Sequence, residues 1–406
     1  MEDVITISLV LKLILGQREL NFAPGTEYAY CNAGYNLLAE IAARASGRSF
    51  KEYLRQVVFE PLKMGRAFVR DQPGELPPGT ARSYRRTRDA GYAPVQDNEA
   101  APGPGSLYLS AEDMGRWLSA WLERSLGSPR VWAQMSETGR TSDGRAIPYA
   151  GGLIPDRYKG LPILSHSGGW AGFRAEMVAF PEQRLAVSVL SNLSMIDATM
   201  ISRRIAEIFL EGQFPPAPAP SAPVPVDGAA LDAAIGRYWL RGEQTIVVTR
   251  KDDRLVAQFS GDMPRELAAE SADTFLSPFI GAKLLFHRDG TDKARKLTFF
   301  QGAAALPAER IPDDPWSPAD AGEFCGRYKS DELGAVIEVK MGVKGLYLPY
   351  PKVGDLTLVP MARDRFAGKD ASVKIVFVRD GGGKVRELRF SLLDAWNVRF
   401  VRITNP

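Results

Sequence analysis

The spacing of apolar positions changes three times along the chain, and each change predicts a different kind of structure. Val4 to Gly16 is an apolar run interrupted by Lys12. It is too short for a membrane span, and Glu2 and Asp3 ahead of it are the wrong flank for a secretory signal, so it reads as a buried helix. The Ala- and Leu-rich stretch from Asn36 to Ser46 predicts a helix with Gly47 as its stop. Ser49 and Glu52 form a capping-box pair at the start of the next helix, which Pro61 helps end. Ser110 and Asp113 offer a similar start, after which Met114, Trp117, Leu118, Trp121 and Leu122 share one helical face. Glu176 to Phe180 and Leu185 to Ser191 then read as strands, joined into a hairpin by a Pro-containing turn. A last helix carries Ile201, Ile205, Ile208 and Phe209 on its apolar stripe. Helices interleaved with antiparallel strands imply an α/β or α+β layer structure for residues 1–212.

The pattern breaks at residues 213–227. Pro215, Pro216, Pro218, Pro220, Pro223 and Pro225 forbid a helix there and predict an extended linker reaching about 3 Å per residue. Beyond it the chain repeats itself. Gly236-Arg237-Tyr238 recurs as Gly326-Arg327-Tyr328, and Phe286-His287-Arg288-Asp289-Gly290 as Phe377-Val378-Arg379-Asp380-Gly381. Leu297 and Phe299 recur as Leu388 and Phe390, always at an offset of roughly ninety residues. Alternating runs such as Thr245 to Thr249 and Val385 to Phe390 are strand-like, and Asp-Gly pairs at Asp289 and Asp380 close hairpins. About eight short strands per copy predict two small antiparallel β-barrels, residues 228–312 and 319–406, joined by Asp313 to Pro318.

Composition narrows the function classes. The chain is 45% hydrophobic and 24% charged, as globular proteins are, with a net charge of only +3. The short basic run Arg85, Arg86, Arg88 lacks the interleaved aromatics of a nucleic-acid face, so no nucleic-acid partner is expected. Two histidines and two cysteines, far apart, make no recognisable metal set, so neither metal nor other cofactor is expected. Cys31 and Cys325 exclude a disulfide framework though not a single bridge, and Cys31 reads as a small buried residue. His287 aligns with Val378 of the other copy and reads as a barrel-strand residue. The compartment is left open between cytoplasm and periplasm.

Two short motifs carry the candidate chemistry. Tyr30-Cys31-Asn32 follows Phe22-Ala23-Pro24-Gly25-Thr26 and precedes a helix; His166-Ser167-Gly168 is followed by Gly169-Trp170-Ala171-Gly172 and the predicted hairpin. In this context, from Phe22 through Tyr35 to Pro61, Leu62 and Met64, the chain resembles the penicillin-recognising serine hydrolases. These comprise class C β-lactamases, DD-peptidases, related esterases and D-aminopeptidases. The two appended barrels bring the likeness nearest to the D-aminopeptidases. The resemblance implies a β-lactamase/transpeptidase-like α/β fold and an acyl-serine mechanism on a small peptide, amide or ester. It gives Tyr30 the role of acid/base and makes Asn32 and His166 the groups that position substrate. Gly168 and Gly169, lacking side chains, let substrate lie against the strand edge. A tyrosine can relay a serine's proton, and an amide can donate and accept at once. Within the second barrel, the segment from Arg363 to Ser372 reads either as a loop reaching over the active site or, through Phe366, as an ordinary strand.

The chain departs from that family at one point. Its nucleophile lies in Ser-x-x-Lys on a helix, and no serine of these 406 residues has lysine three positions on. Ser49 and Lys51, and Ser372 and Lys374, are too close; Ser8 and Lys12 lie directly before the Tyr-x-Asn phrase, where the nucleophile does not belong. Loss of a nucleophile typically costs about a million-fold in turnover. The expectation is therefore an N-terminally truncated α/β domain that is inactive by itself. Such a domain exposes a sheet edge and favours association, with a homodimer among the assemblies left open. A β-lactamase-like esterase and a non-catalytic binding descendant are the alternatives.

Overall fold

The structure, a computed structural model, describes residues 4–87, 89–216, 224–240, 245–259, 264–277, 282–288, 292–301, 304–311, 318–343, 345–349, 354–368, 373–392 and 395–403. The chain divides into two compact units, one of residues 1–15 and 31–218, the other of residues 16–30 and 219–406.

In the first unit β1 (Ile5–Thr6) leads into α1 (Ile7–Gly16). The apolar run is helical as predicted, but none of its residues is buried, and Leu15 is 81% exposed. Its tether is β1, which pairs in parallel with residues 99–100, and that pairing leaves the helix lying on the surface. α2 (Asn32–Ser46) starts earlier than the Ala/Leu pattern suggested and stops at Gly47. Cys31 is its N-cap residue and is exposed, contrary to expectation, because extended backbone at a helix start points its side chain outward. Asn36 is buried and donates from Nδ2 to the carbonyls of Ala101 (3.2 Å) and Pro102 (3.0 Å). That clamp holds the loop so tightly that a Cβ at Gly103 would lie 2.5 Å from the Tyr35 carbonyl oxygen. With φ at 138° as well, the position accepts only glycine. α3 (Phe50–Leu54) opens with the predicted capping box of Ser49 and Glu52 and runs into a π-helical turn, Arg55–Phe59.

Short strands β2 (Phe68–Val69), β3 (Ser83–Arg86), β4 (Tyr92–Val95), β5 (Glu99–Ala100) and β6 (Leu107–Tyr108) follow. α4 (Ala111–Glu123) is capped by Ser110, whose Oγ accepts from the Asp113 amide at 3.1 Å, and buries Leu118 and Trp121 as read from sequence. α5 (Pro129–Ser136) sets Trp132 edge-on against Trp121. Next comes the sheet: β7 (Ile154–Tyr158), β8 (Leu161–Trp170), β9 (Phe173–Phe180) and β10 (Leu185–Ser191), antiparallel in the order β10-β9-β8-β7. One face packs Leu164, Met177 and Ala179 on Trp121 and Trp132. The other packs Ile163, Val178 and Phe180 on Ala206 and Leu210 of α6 (Ala198–Phe209) and the residue after it. Helices on both faces make this an α/β layer domain.

α6 corrects the sequence reading. Its buried side is Ala198, Ser202 and Ala206, while Ile208 and Phe209 are 73% and 68% exposed. Small residues let the helix axis approach the sheet closely, and a buried ion pair at 3.3 Å between Arg203 and Glu176 of β9 fixes that rotation.

The second unit holds the internal repeat. α7 (Gly228–Ala234) precedes nine antiparallel strands, β11 (Gly236–Leu240) to β19 (Ala304–Arg310). The ends of that sheet, Arg265–Glu266 and Ala268–Ala269, adjoin in sequence, so it is a nearly closed barrel. β20 (Gly326–Ser330) to β27 (Ala395–Ile403) form a closed barrel of eight strands. Both copies make the same interactions. Tyr238 donates its hydroxyl to the Ala234 carbonyl and Tyr328 to that of Phe324, each at 2.8 Å. Arg310 and Arg402 each stack a guanidinium 5.8 Å from the corresponding tyrosine ring. The Phe286 and Phe377 amides donate to Asp273 and Asp364 carbonyls, again both at 2.8 Å. Phe366 is fully buried among Phe324 and Phe377 on a strand, Arg365–Gly368; residues 369–372 lie outside the described residues. So do Asp289, Gly290, Asp313 and residues 217–223 of the proline-rich segment, whereas the Asp380 turn is closed by the Gly383 amide on the Asp380 carbonyl at 2.9 Å. Residues 16–30 pack in this unit, with Glu19 on Arg389 at 2.9 Å and Phe22 6.0 Å from the Trp396 ring.

Because each repeated tyrosine is fully buried, removing its hydroxyl leaves a buried carbonyl unpaired. Tyr328→Phe is expected to cost about 1 kcal/mol in chemical denaturation, and Tyr238→Phe, whose hydroxyl also accepts from Arg310 at 3.3 Å, up to about 2 kcal/mol. A smaller loss in Tyr238→Phe than in Tyr328→Phe would contradict this assignment.

Candidate active site

The first unit joins α2, the helix that Asn32 opens, to the His-x-Gly strand through a residue that neither motif contains. Tyr149, in the loop before β7, stacks edge-on against Tyr35 of α2 at 6.5 Å and against His166 of β8 at 5.9 Å. His166 lies 3.0 Å through Nε2 from the Tyr149 hydroxyl, and its Nδ1 is 2.7 Å from the Ser167 carbonyl. A carbonyl can only accept, so Nδ1 carries a proton, and the tautomer this sets leaves Nε2 as the acceptor for the Tyr149 hydroxyl. Asn32 is the first residue of α2, one turn before Tyr35, and is exposed.

Strand lengths shape the rest. β7 pairs with Leu161 to Ser165 only, whereas β9 pairs with β8 as far as Trp170. Among the described residues no strand continues the ladder beside His166, Ser167, Gly168, Gly169 and Trp170 on the β7 side. Side chains alternate across a strand, so His166, Gly168 and Trp170 share one face. Gly168 faces Ala175 of β9; a Cβ at Gly168 would meet that of Ala175 at 3.6 Å, an ordinary contact. Gly168 is therefore not demanded by the fold, which leaves room at the strand as its consequence.

At the far end of this edge the Trp170 indole N–H donates to Asp97 Oδ1 at 2.8 Å. Asp97 is held by Arg70 at 3.2 Å and by the Tyr108 hydroxyl. Burial, and then Asp97 itself, push the Tyr108 phenol up to about 12, so it remains a donor. Glu99, two residues on, is pushed up to about 7 by burial and by the Asp97 charge, against the opposing pull of Arg70. Sequence reading passed over all of these residues. Trp170 adjoins the His-x-Gly motif and could have been found from it, whereas Asp97, Glu99, Arg70 and Tyr149 carry no local signal.

Tyr30 stands apart from this cluster in the division of the chain. It ends the segment that packs with the barrels and is 40% exposed. Cys31 and Cys325 are both free thiols, and among the described residues no group of His, Cys, Asp and Glu could hold a metal ion. No described helix is long and apolar enough to cross a membrane.

The first unit is thus a layered α/β domain in which β8 carries His-x-Gly beyond the end of β7 and Asn32 opens α2. Residues 12–208 match the family described as Beta-lactamase. The D-aminopeptidase of Gluconobacter oxydans is 29% identical over 226 residues, 55% of this chain and 42% of that protein. The D-aminopeptidase of Brucella anthropi is 26% identical over 415 residues, 94% of this chain and 72% of that protein. The chain thus spans less than half the length of the first of these relatives. The octameric penicillin-binding protein homologue from Pyrococcus abyssi is 22% identical, with a TM-score of 0.43 over 71% of this chain and 66% of that one.

Glu99 makes stability depend on pH with a defined sign. Its carboxyl titrates higher in the fold than its ordinary 4.5, so its contribution is complete below about 4.5 and lost as pH rises through about 7. Glu99→Gln is expected to remove that decline and to stabilise the protein at pH 8 by about 1 to 3 kcal/mol. Melting curves of both forms between pH 5 and 8 measure it; parallel pH profiles would refute the assignment.

Proposed function

We propose that this chain carries the substrate-positioning half of a D-aminopeptidase-type serine hydrolase, which releases N-terminal D-amino acids from small peptides or amides. The observation that carries the reading is the open edge of β8, with His166 locked in one tautomer by Tyr149 and Ser167. An extended amide can pair its backbone with such an edge, as an added strand would. On this reading His166 and Asn32 hold the substrate's polar groups, and Gly168 and Gly169 keep the edge accessible. Tyr30 transfers the proton between nucleophile and leaving amine, a role assigned from the Tyr-x-Asn motif. The D-aminopeptidase relatives support the choice of substrate class.

None of the 406 residues supplies Ser-x-x-Lys, so the reading takes the acyl-accepting serine from outside them. The same absence favours a second reading, in which the protein binds such amides without turning them over. Intact mass and N-terminal sequence of the native product, followed by an ammonia-release assay on D-alanine amide, separate the two. The hydrolase reading expects Ser-x-x-Lys in the active species and no measurable turnover by the 406-residue chain alone. In that active species Tyr30→Phe should lower kcat by roughly a hundred- to ten-thousand-fold with little change in KM. Unchanged kcat in that variant would remove Tyr30 from the chemistry.

A further inference from the structure

We infer that Trp170 and Gly168 form a subsite that selects amides by side chain, favouring aromatic and large apolar groups, and that Asp97 is its positioning residue. The inference rests on the reading of β8 as the substrate edge and adds what that edge prefers. Along the shared face, alternate residues stand about 6 to 7 Å apart, so Gly168 leaves a notch between the His166 imidazole and the Trp170 indole. The floor stays shallow on the neighbouring strand too, because the residue opposite Gly168 is Ala175. Its far wall is a large aromatic that is 42% exposed, whereas the phenol ring of Tyr108 stacks edge-on with Phe173, the residue opposite Trp170, at 6.4 Å.

An exposed indole normally samples several rotamers, and ordering it on binding is a cost. Here the ring is anchored beforehand. Its N–H donates at 2.8 Å to a carboxylate that is itself paired with Arg70, a guanidinium only 5% exposed, and with Tyr108. With its polar tip satisfied, the indole has only its apolar surface left to offer a ligand, and a fixed ring loses little freedom when one packs against it. Aromatic and branched apolar side chains therefore gain contact that a glycine residue cannot make.

Calorimetric titration of the 406-residue protein with D-phenylalanine amide, D-leucine amide and glycine amide tests this, since binding needs no nucleophile. The two larger amides should bind roughly tenfold tighter than glycine amide. Trp170→Ala should bring all three within about twofold while leaving glycine amide binding intact, which also reports that the variant is folded. Gly168→Val, which adds a branched side chain where a Cβ has room, should weaken the larger amides more than glycine amide. Asp97→Ala should reduce the preference, and Asp97→Asn, which keeps an acceptor for the indole, should restore most of it. Preference surviving in Trp170→Ala, or absent from the parent protein while His166→Ala still abolishes glycine amide binding, would overturn the subsite and leave the edge-binding reading standing. If no amide binds the parent protein, both fall together.

Discussion

β8 is twice as long as β7, and the chemistry of the first unit depends on that mismatch. Backbone amides and carbonyls in a sheet need partners, and β7 supplies them to Leu161 through Ser165 and then stops. Among the described residues the remaining five continue only the ladder to β9, which leaves that side of β8 without a neighbouring strand. A ligand presenting an extended amide meets groups already held in line. The two ends of that open stretch are fixed from outside the sheet, His166 by Tyr149 and Trp170 by Asp97.

The second anchor is an electrostatic arrangement with one charge to spare. Arg70 neutralises Asp97, and Glu99 sits close enough to the same carboxylate that burying both as anions is unfavourable. The conflict is met on Glu99, which stays protonated until near neutrality, while Asp97 keeps its bonds to Arg70, Tyr108 and Trp170. That division keeps the acceptor for the indole constant while placing a titrating group beside the far end of the edge.

The barrels show what repetition preserves. The overall likeness of the two copies is loose in sequence, yet the tyrosine hydroxyl, the stacked arginine and the phenylalanine amide bond recur with nearly identical distances. The tyrosine bonds sit at the point where a helical or 3-10 lead-in turns into the first strand of each copy. A buried tyrosine there ties lead-in to strand, and strands elsewhere tolerate change because their pairing is carried by backbone.

Much of the molecule was legible without coordinates, because the features concerned are local. Capping by Ser49 and Ser110, the Gly47 stop, the β9–β10 hairpin and the Asp380 turn all act within a few residues. The repeat gave the barrels because its register is written in the sequence itself. Motif resemblance singled out His166 and Asn32. What the sequence misjudged was burial: α1 is helical but has no buried residue, Cys31 is exposed, and α6 buries its small residues while Ile208 and Phe209 face out. Which face of an amphipathic helix is covered depends on what lies opposite, and that partner is remote in sequence. For the same reason only the tertiary structure could join Tyr149 to His166, stop β7 short of Trp170, and set Asp97 under an indole 73 residues away.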